Sequence, residues 1–184
     1  YLDLWVADRE GNIIANGRPN EYRLKGVNIA DQKWFQDALR CRDGGQYAVA
    51  DVARNSQLRD AATPTYATAV RKNGAAHGEV IGVMGVFFDW ESQAPMIVKS
   101  LNFNDEERER TRVLLIDVDN RILAASDDKG VLTEKFDLKV DDPAIGSYLL
   151  EDKSLVAYAL TPGYETYQGL GWRGVIVQAP KPVK

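Results

Sequence analysis

The chain has 184 residues, 45% of them hydrophobic and 27% charged, and 23 basic against 27 acidic side chains leave a formal net charge of −4. Such a chain is long enough to bury its own core, and its acidic balance argues against a nucleic-acid binder, whose footprint is a basic patch. A single cysteine, Cys41, excludes an intrachain disulfide and a multi-cysteine zinc site, and no apolar run approaches the ~18–20 residues of a membrane span.

The chain opens on Tyr1-Leu2-Asp3-Leu4-Trp5-Val6, already strand-like and without a Met or a signal peptide. It is expected to be a domain of a longer protein whose anchors lie outside it. Residues 4–15 place apolar runs on either side of Asp8-Arg9-Glu10-Gly11-Asn12 and predict a β-hairpin. Asp31 is a candidate N-cap for a helix carrying Trp34, Phe35, Ala38 and Leu39 at helical spacing, ended by Gly44-Gly45. Strands are predicted at 46–53, 66–71 and 80–88, with Lys72-Asn73-Gly74 turning between the last two. That makes an antiparallel sheet of five strands with helical connections on one face.

Residues 92–101 predict a helix, and the charged run 104–110 a solvated connector. The first pattern then returns. Residues 114–125 repeat the hairpin around Asp119-Asn120, helical turns are expected at 131–135 and 142–149, and strands at 155–160 and 169–177 flank Thr161-Pro162-Gly163. The Gly-interrupted strand 169–177 echoes 80–88. The reading is an α+β protein of two similar modules, at 1–91 and 113–180, joined by 92–112.

No catalytic signature is present: no Gly-x-Ser-x-Gly, P-loop, dinucleotide fingerprint or His-Glu-x-x-His. The sole histidine, His77, sits in a turn without partners spaced for a metal. Asp117-Val118-Asp119-Asn120 and Asp127-Asp128 lack the EF-hand spacing and read as turn residues. Cys41 reads as a small residue near a helix end. Tyr158, Tyr164, Tyr167 and Trp172 form an aromatic group, read first as packing and second as a pocket. The loop 163–169 could also touch a partner. The expectation is no enzyme, no cofactor and no metal.

The order of pieces resembles the double Cache (dCache) sensor domains of bacterial chemoreceptors, sensor kinases and diguanylate cyclases. The resemblance rests on Val6-Ala7-Asp8-Arg9-Glu10-Gly11-Asn12-Ile13-Ile14-Ala15, on Asp31-Gln32-Lys33-Trp34-Phe35, on Gly82-Val83-Met84-Gly85-Val86 and on Gly169-Leu170-Gly171-Trp172. It implies two PAS-like modules, each an antiparallel sheet of about five strands. It also implies a long N-terminal helix, which this sequence lacks, flanking transmembrane helices outside it, and a homodimer in the full receptor. The first module would be membrane-distal and hold a small-molecule ligand; the second would be membrane-proximal and relay the signal. The place would be extracytoplasmic, the periplasmic side of an inner-membrane protein. The commonest output would be chemotaxis through a methyl-accepting receptor. A kinase or cyclase output, or recognition of a ligand-loaded binding protein, stands as the alternative.

The amino-acid-binding subgroup of that family reads Arg-x-Trp-Tyr at the helix, Tyr-x-Asp on the third strand and an Asp after the last strand's Gly-Val. Here the helix reads Gln32-Lys33-Trp34-Phe35, so Gln32 stands where an arginine would clamp a carboxylate. Asp51 matches, with Val49 at the tyrosine place and Tyr47 two residues earlier. Phe87 replaces the amine-binding aspartate, and Asp89 has the same strand parity. Tyr66 and Thr68 alternate on one strand and complete the candidate ligand set, and Arg71 is a candidate replacement cation. Capture of a zwitterion needs a paired cation and anion. These substitutions therefore point instead to a neutral, aromatic or singly charged ligand, with Asp51 favouring a cationic or hydrogen-bond-donating group.

Overall fold

The computed structural model describes residues 1–163 and 169–182. It divides into two compact units, Tyr1–Glu91 and a second beginning at Ser92. Each unit is built on a five-stranded antiparallel sheet, and the two sheets share one strand order. Among the described residues no helix precedes the first strand, and no helix is long and apolar enough to cross a membrane.

In the first unit, β1 (Asp3–Asp8), β2 (Ile13–Asn16), β3 (Ala48–Asn55), β4 (Ala61–Arg71) and β5 (Val80–Phe87) assemble in the order β2-β1-β5-β4-β3. Alternation decides which side chains face the core. Trp5 pairs with Gly85, which pairs with Ala67, which pairs with Ala48, and all four lie on the inner face. The next row on that face is Asp3, Phe87, Thr65 and Ala50. Helix α1 (Lys33–Leu39) covers this face with Trp34, Phe35 and Ala38. The irregular segment between β2 and α1 adds Tyr22, Leu24 and Ile29 to the same core.

Asp3 ties the sheet to that segment. Its buried carboxylate accepts from the backbone N–H of Leu4 and Arg18 (2.9 Å each), the amide of Asn16 (2.8 Å) and the indole N–H of Trp5 (3.1 Å). Four donors offset the cost of taking this carboxylate out of water.

In the second unit, β6 (Thr111–Ile116), β7 (Ile122–Ala125), β8 (Ile145–Leu149), β9 (Leu155–Leu160) and β10 (Arg173–Gln178) run in the order β7-β6-β10-β9-β8. Leu114, Ile116, Val156, Tyr158 and Val175 centre its core. The hairpin repeat is repeated in atomic detail. Asp8 accepts from the Asn12 backbone and side chain, and Asp117 from the Arg121 backbone and guanidinium. Both hairpins carry a register shift just before the turn.

Several elements differ from the sequence expectation. Residues 142–149 form no helical turns: Ile145–Leu149 is the edge strand β8. Its pattern alternates exposed with half-buried residues, and pairing with β9 supplies what the short segment lacks locally. The N-cap of α1 is Gln32, not Asp31, and no side chain caps it. The helix ends at Leu39, short of the glycines. The charged run 104–110 contains a helix, α3 (Asp105–Glu109), held by a capping box between Asn104 and Glu107. The helix predicted at 92–101 is α2 (Trp90–Lys99). Strand β4 starts five residues before the predicted Tyr66, and β10 four after Gly169. Tyr164 and Tyr167, and most of the loop 163–169, lie outside the described residues.

Candidate functional site

A cavity of about 470 Å³ opens in the first unit beside the N-terminus of α1 and the far end of β3. Its floor is the inner face of the sheet, with Trp5, Thr63 and Thr65, and Trp34 of α1 lines it from the helix that covers this face. Phe87 lies beneath, fully buried, with its ring 4.1 Å from Trp5 and 5.6 Å from Trp34, nearly perpendicular to the latter. Such tilted and edge-on contacts suit the ring quadrupoles and fix both indoles. Gly85 makes room for Trp34: a Cβ there would stand 3.1 Å from the indole.

One wall comes from a bulge. Ala50 pairs with Thr65 and Ala53 with Thr63, so Asp51 and Val52 on β3 face the single residue Pro64 on β4. Proline has no N–H to give the ladder, which favours an irregularity beside it. The bulge buries Val52 completely and leaves the half-buried Asp51 lining the cavity. The Val52 N–H bonds back to the Asp51 carboxylate at 2.6 Å and orients it.

The opposite wall is the start of α1. Asp31, Gln32 and Lys33 line it, and the Gln32 amide donates to Asp31 at 3.3 Å. The cations at the rim are engaged elsewhere. Lys33 pairs with Asp37 one turn on. Arg54 reaches the Asp60 carbonyl at 2.9 Å and Glu91 at 3.6 Å. Lys33 is the larger influence on Asp37, followed by burial, which opposes it; the net effect holds that carboxyl below its ordinary value.

The candidate ligand residues thus separate into three groups. Gln32, Trp34 and Asp51 come together around the cavity. Phe35 and Phe87 are core residues under it, 1% and 0% exposed. Tyr47, Tyr66 and Thr68 belong elsewhere: Tyr66 and Thr68 point to the outer face of the sheet, opposite the Thr65 and Ala67 face. There the Tyr66 ring lies 6.3 Å from Tyr47 and 5.2 Å from Phe88, and Thr68 donates to the Gln46 carbonyl at 2.9 Å. Asp89 follows β5, half-buried and away from the cavity lining. Arg71 is occupied by the carbonyls of Gly78 and Cys41.

Sequence reasoning passed over Trp5, Thr63 and Thr65. The signal was present in the Asp3-Trp5-Ala7 alternation and in Thr63-Pro64-Thr65, where a proline inside a strand marks a bulge. Among the described residues no group of three or more His, Cys, Asp or Glu could hold a metal ion. His77 is exposed. Burial is the main influence on the half-buried Cys41 and pushes its thiol above the ordinary value, which makes it a poor nucleophile.

No family model and no curated protein matches the chain. Solved structures do. The ligand-binding domain of the Pseudomonas aeruginosa PAO1 amino-acid chemoreceptor PctC, in complex with GABA, superposes with a TM-score of 0.69 at 18% identity, covering 97% of this chain and 74% of that one. The ligand-binding domain of the Pseudomonas fluorescens chemoreceptor CtaA, in complex with L-serine, gives 0.64 at 14%, covering 97% and 73%. The Vibrio cholerae histidine kinase DctB sensor domain gives 0.62 at 16%, covering 98% and 72%. The chain has the fold of these double Cache sensor domains.

Proposed function

We propose that this chain is the extracytoplasmic sensing part of a transmembrane receptor. In this reading the first unit binds a small organic amine, and the second unit passes the change toward a membrane helix. The observation that carries it is the cavity whose lining brings together the Asp51 carboxylate, Trp34 and Trp5. An oriented carboxylate with aromatic walls suits an ammonium group, through a charge-assisted hydrogen bond and attraction to the indole faces.

The rest of the cavity narrows the ligand further. Gln32 stands where a carboxylate clamp would be needed, and both rim cations already have anionic partners. A ligand bearing a carboxylate would meet no uncommitted cation and would face Asp31 and Asp51 instead. The preferred ligand is therefore an amine without an acid group. PctC with GABA and CtaA with L-serine place amine-bearing molecules in domains of this fold, which supports the class of ligand while leaving the acid group as the difference. Chemotaxis is the output we favour, by likeness to these receptors, and DctB illustrates the kinase alternative. Docking of a ligand-loaded binding protein is the weaker reading, because the cavity is not filled by the protein's own side chains.

Ligand binding shifts a receptor only through different affinity for its two states. The first test is a thermal-shift screen of amines, amino acids, organic acids and purines, with Trp34→Ala and Asp51→Asn alongside. A ligand at 100 times its dissociation constant stabilises the folded chain by about 2.7 kcal/mol. The reading expects amines to shift the wild type and not the variants. A shift from carboxylates alone, or one equal in Asp51→Asn, would refute it.

A further inference from the structure

The second unit contains a cavity of about 590 Å³ outside the site described above, between the ends of α2 and α3 and one end of the paired strands β6 and β10. Its charge is unbalanced. Lys99, Arg108, Arg110 and Arg112 line it against Glu109 and Asp127. Lys99 is paired with Asp128 at 2.6 Å and Arg112 with Asp127 at 3.1 Å. Arg108 and Arg110 form no ion pair among the described residues.

Arg110 is the informative member. Its Nη1 donates to the Ala179 carbonyl at 2.7 Å, which anchors the guanidinium plane. Its Nε is buried and has no acceptor in the protein. The edge formed by Nε and Nη2 is one of the two faces through which a guanidinium grips an oxyanion with parallel hydrogen bonds. That edge is held in place by the Nη1 bond, and its Nε has no protein acceptor. Leu101, Phe103 and Val177 provide apolar walls on the same cavity. A charge-bearing head and an apolar body are both accommodated.

We propose that this cavity is a second ligand site, selective for a small organic acid whose carboxylate is held by Arg110, with Arg108 reinforcing it and the ring or aliphatic body against Leu101 and Phe103. The site is independent of the amine site in the first unit and opposite to it in charge preference. An acid bound there would act on the unit proposed to relay the signal, giving the receptor two chemically distinct inputs.

The test is a nuclear magnetic resonance titration of the whole chain with phenylacetate. Saturable shifts are expected at Phe103, Arg110 and Thr111. Affinity is expected to fall about tenfold or more in Arg110→Gln, as befits loss of a charge-assisted bond, and to fall in Arg108→Gln. It should be unchanged in Asp51→Asn, which separates this site from the amine site. Arg110→Gln also gives up the Ala179 bond. If that variant does not fold, Arg110→Lys keeps the charge without the fork and should still bind weakly. Absence of shifts in the folded wild type would overturn the proposal, as would equal affinity in the Arg108 and Arg110 variants. Benzyl alcohol binding as well as phenylacetate would overturn the anion preference. Inorganic phosphate competing at equal affinity would overturn the requirement for an organic acid.

Discussion

The indole of Trp34 lies over Gly85 so closely that a Cβ on that glycine would stand 3.1 Å from Cζ3 and 3.2 Å from Cη2. The contact joins the first helix to the middle of the first sheet. It also determines how deep Trp34 sits and therefore the shape of the cavity floor.

Gly85→Ala should accordingly push Trp34 outward rather than simply fill space. Overpacking of this kind costs about 1–3 kcal/mol. A urea titration should show the lower midpoint, and Trp34 fluorescence should change in the folded baseline. Gly82→Ala should be worse, because its Cβ would stand 2.2 Å from the Ala7 carbonyl oxygen, a backbone atom that cannot swing aside.

Asp3→Ala should be the most damaging polar change in the first unit. It strands four donors, two of them backbone N–H groups. A buried donor left unpaired costs ~1–3 kcal/mol, so a loss above about 3 kcal/mol is expected by chemical denaturation. Asp3→Asn retains one acceptor oxygen and should recover part of it. A neutral Asp3→Ala would show that the carboxylate does not anchor the segment between β2 and α1.

Tyr158→Phe tests the second unit separately. The Tyr158 hydroxyl accepts from the backbone N–H of Asp141 (3.1 Å) and Asp142 (3.3 Å) and donates to the Asp142 carbonyl (3.0 Å). Its removal should cost ~1–3 kcal/mol and speed amide exchange at residues 141–144. The amine binding proposed for the first unit should not change.

Asp127 should titrate below an ordinary carboxylate. Burial opposes its ionisation, but the hydrogen bond from the Lys129 N–H and the Arg112 guanidinium outweigh that opposition. The folded value is depressed, so its contribution to stability is fully present above the unfolded value of about 4. That contribution is lost as pH falls through the lower folded midpoint. Arg112→Gln should move the midpoint upward in a carbon-13 titration of the side-chain carboxyl. An unmoved midpoint would assign the depression to the backbone alone.

Much of this architecture could be read along the chain because it depends on local pattern. The two hairpins were legible from Asp8 to Asn12 and from Asp117 to Arg121, since each turn satisfies its own backbone. The helix at Trp34 and Phe35 followed from spacing, and the internal repeat from the matching Gly-interrupted strands. The edge strand β8 was not legible. Its exposed Ile145 and Leu149 acquire strand conformation by pairing with β9, and no sequence window contains its partner.

The candidate site divides in the same way. Sequence determined that an aspartate lies on the third strand, a tryptophan on the first helix and a glutamine, not an arginine, at its N-cap. Only the tertiary structure decided which residues meet. The bulge opposite Pro64 aims Asp51 into the cavity, while strand alternation sends Tyr66 and Thr68 to the other face. Trp5, distant in sequence, becomes the floor because β1 pairs with β5. Side-chain chemistry is a local property of the chain; convergence on one cavity depends on register between strands, where a shift of one residue reverses every face.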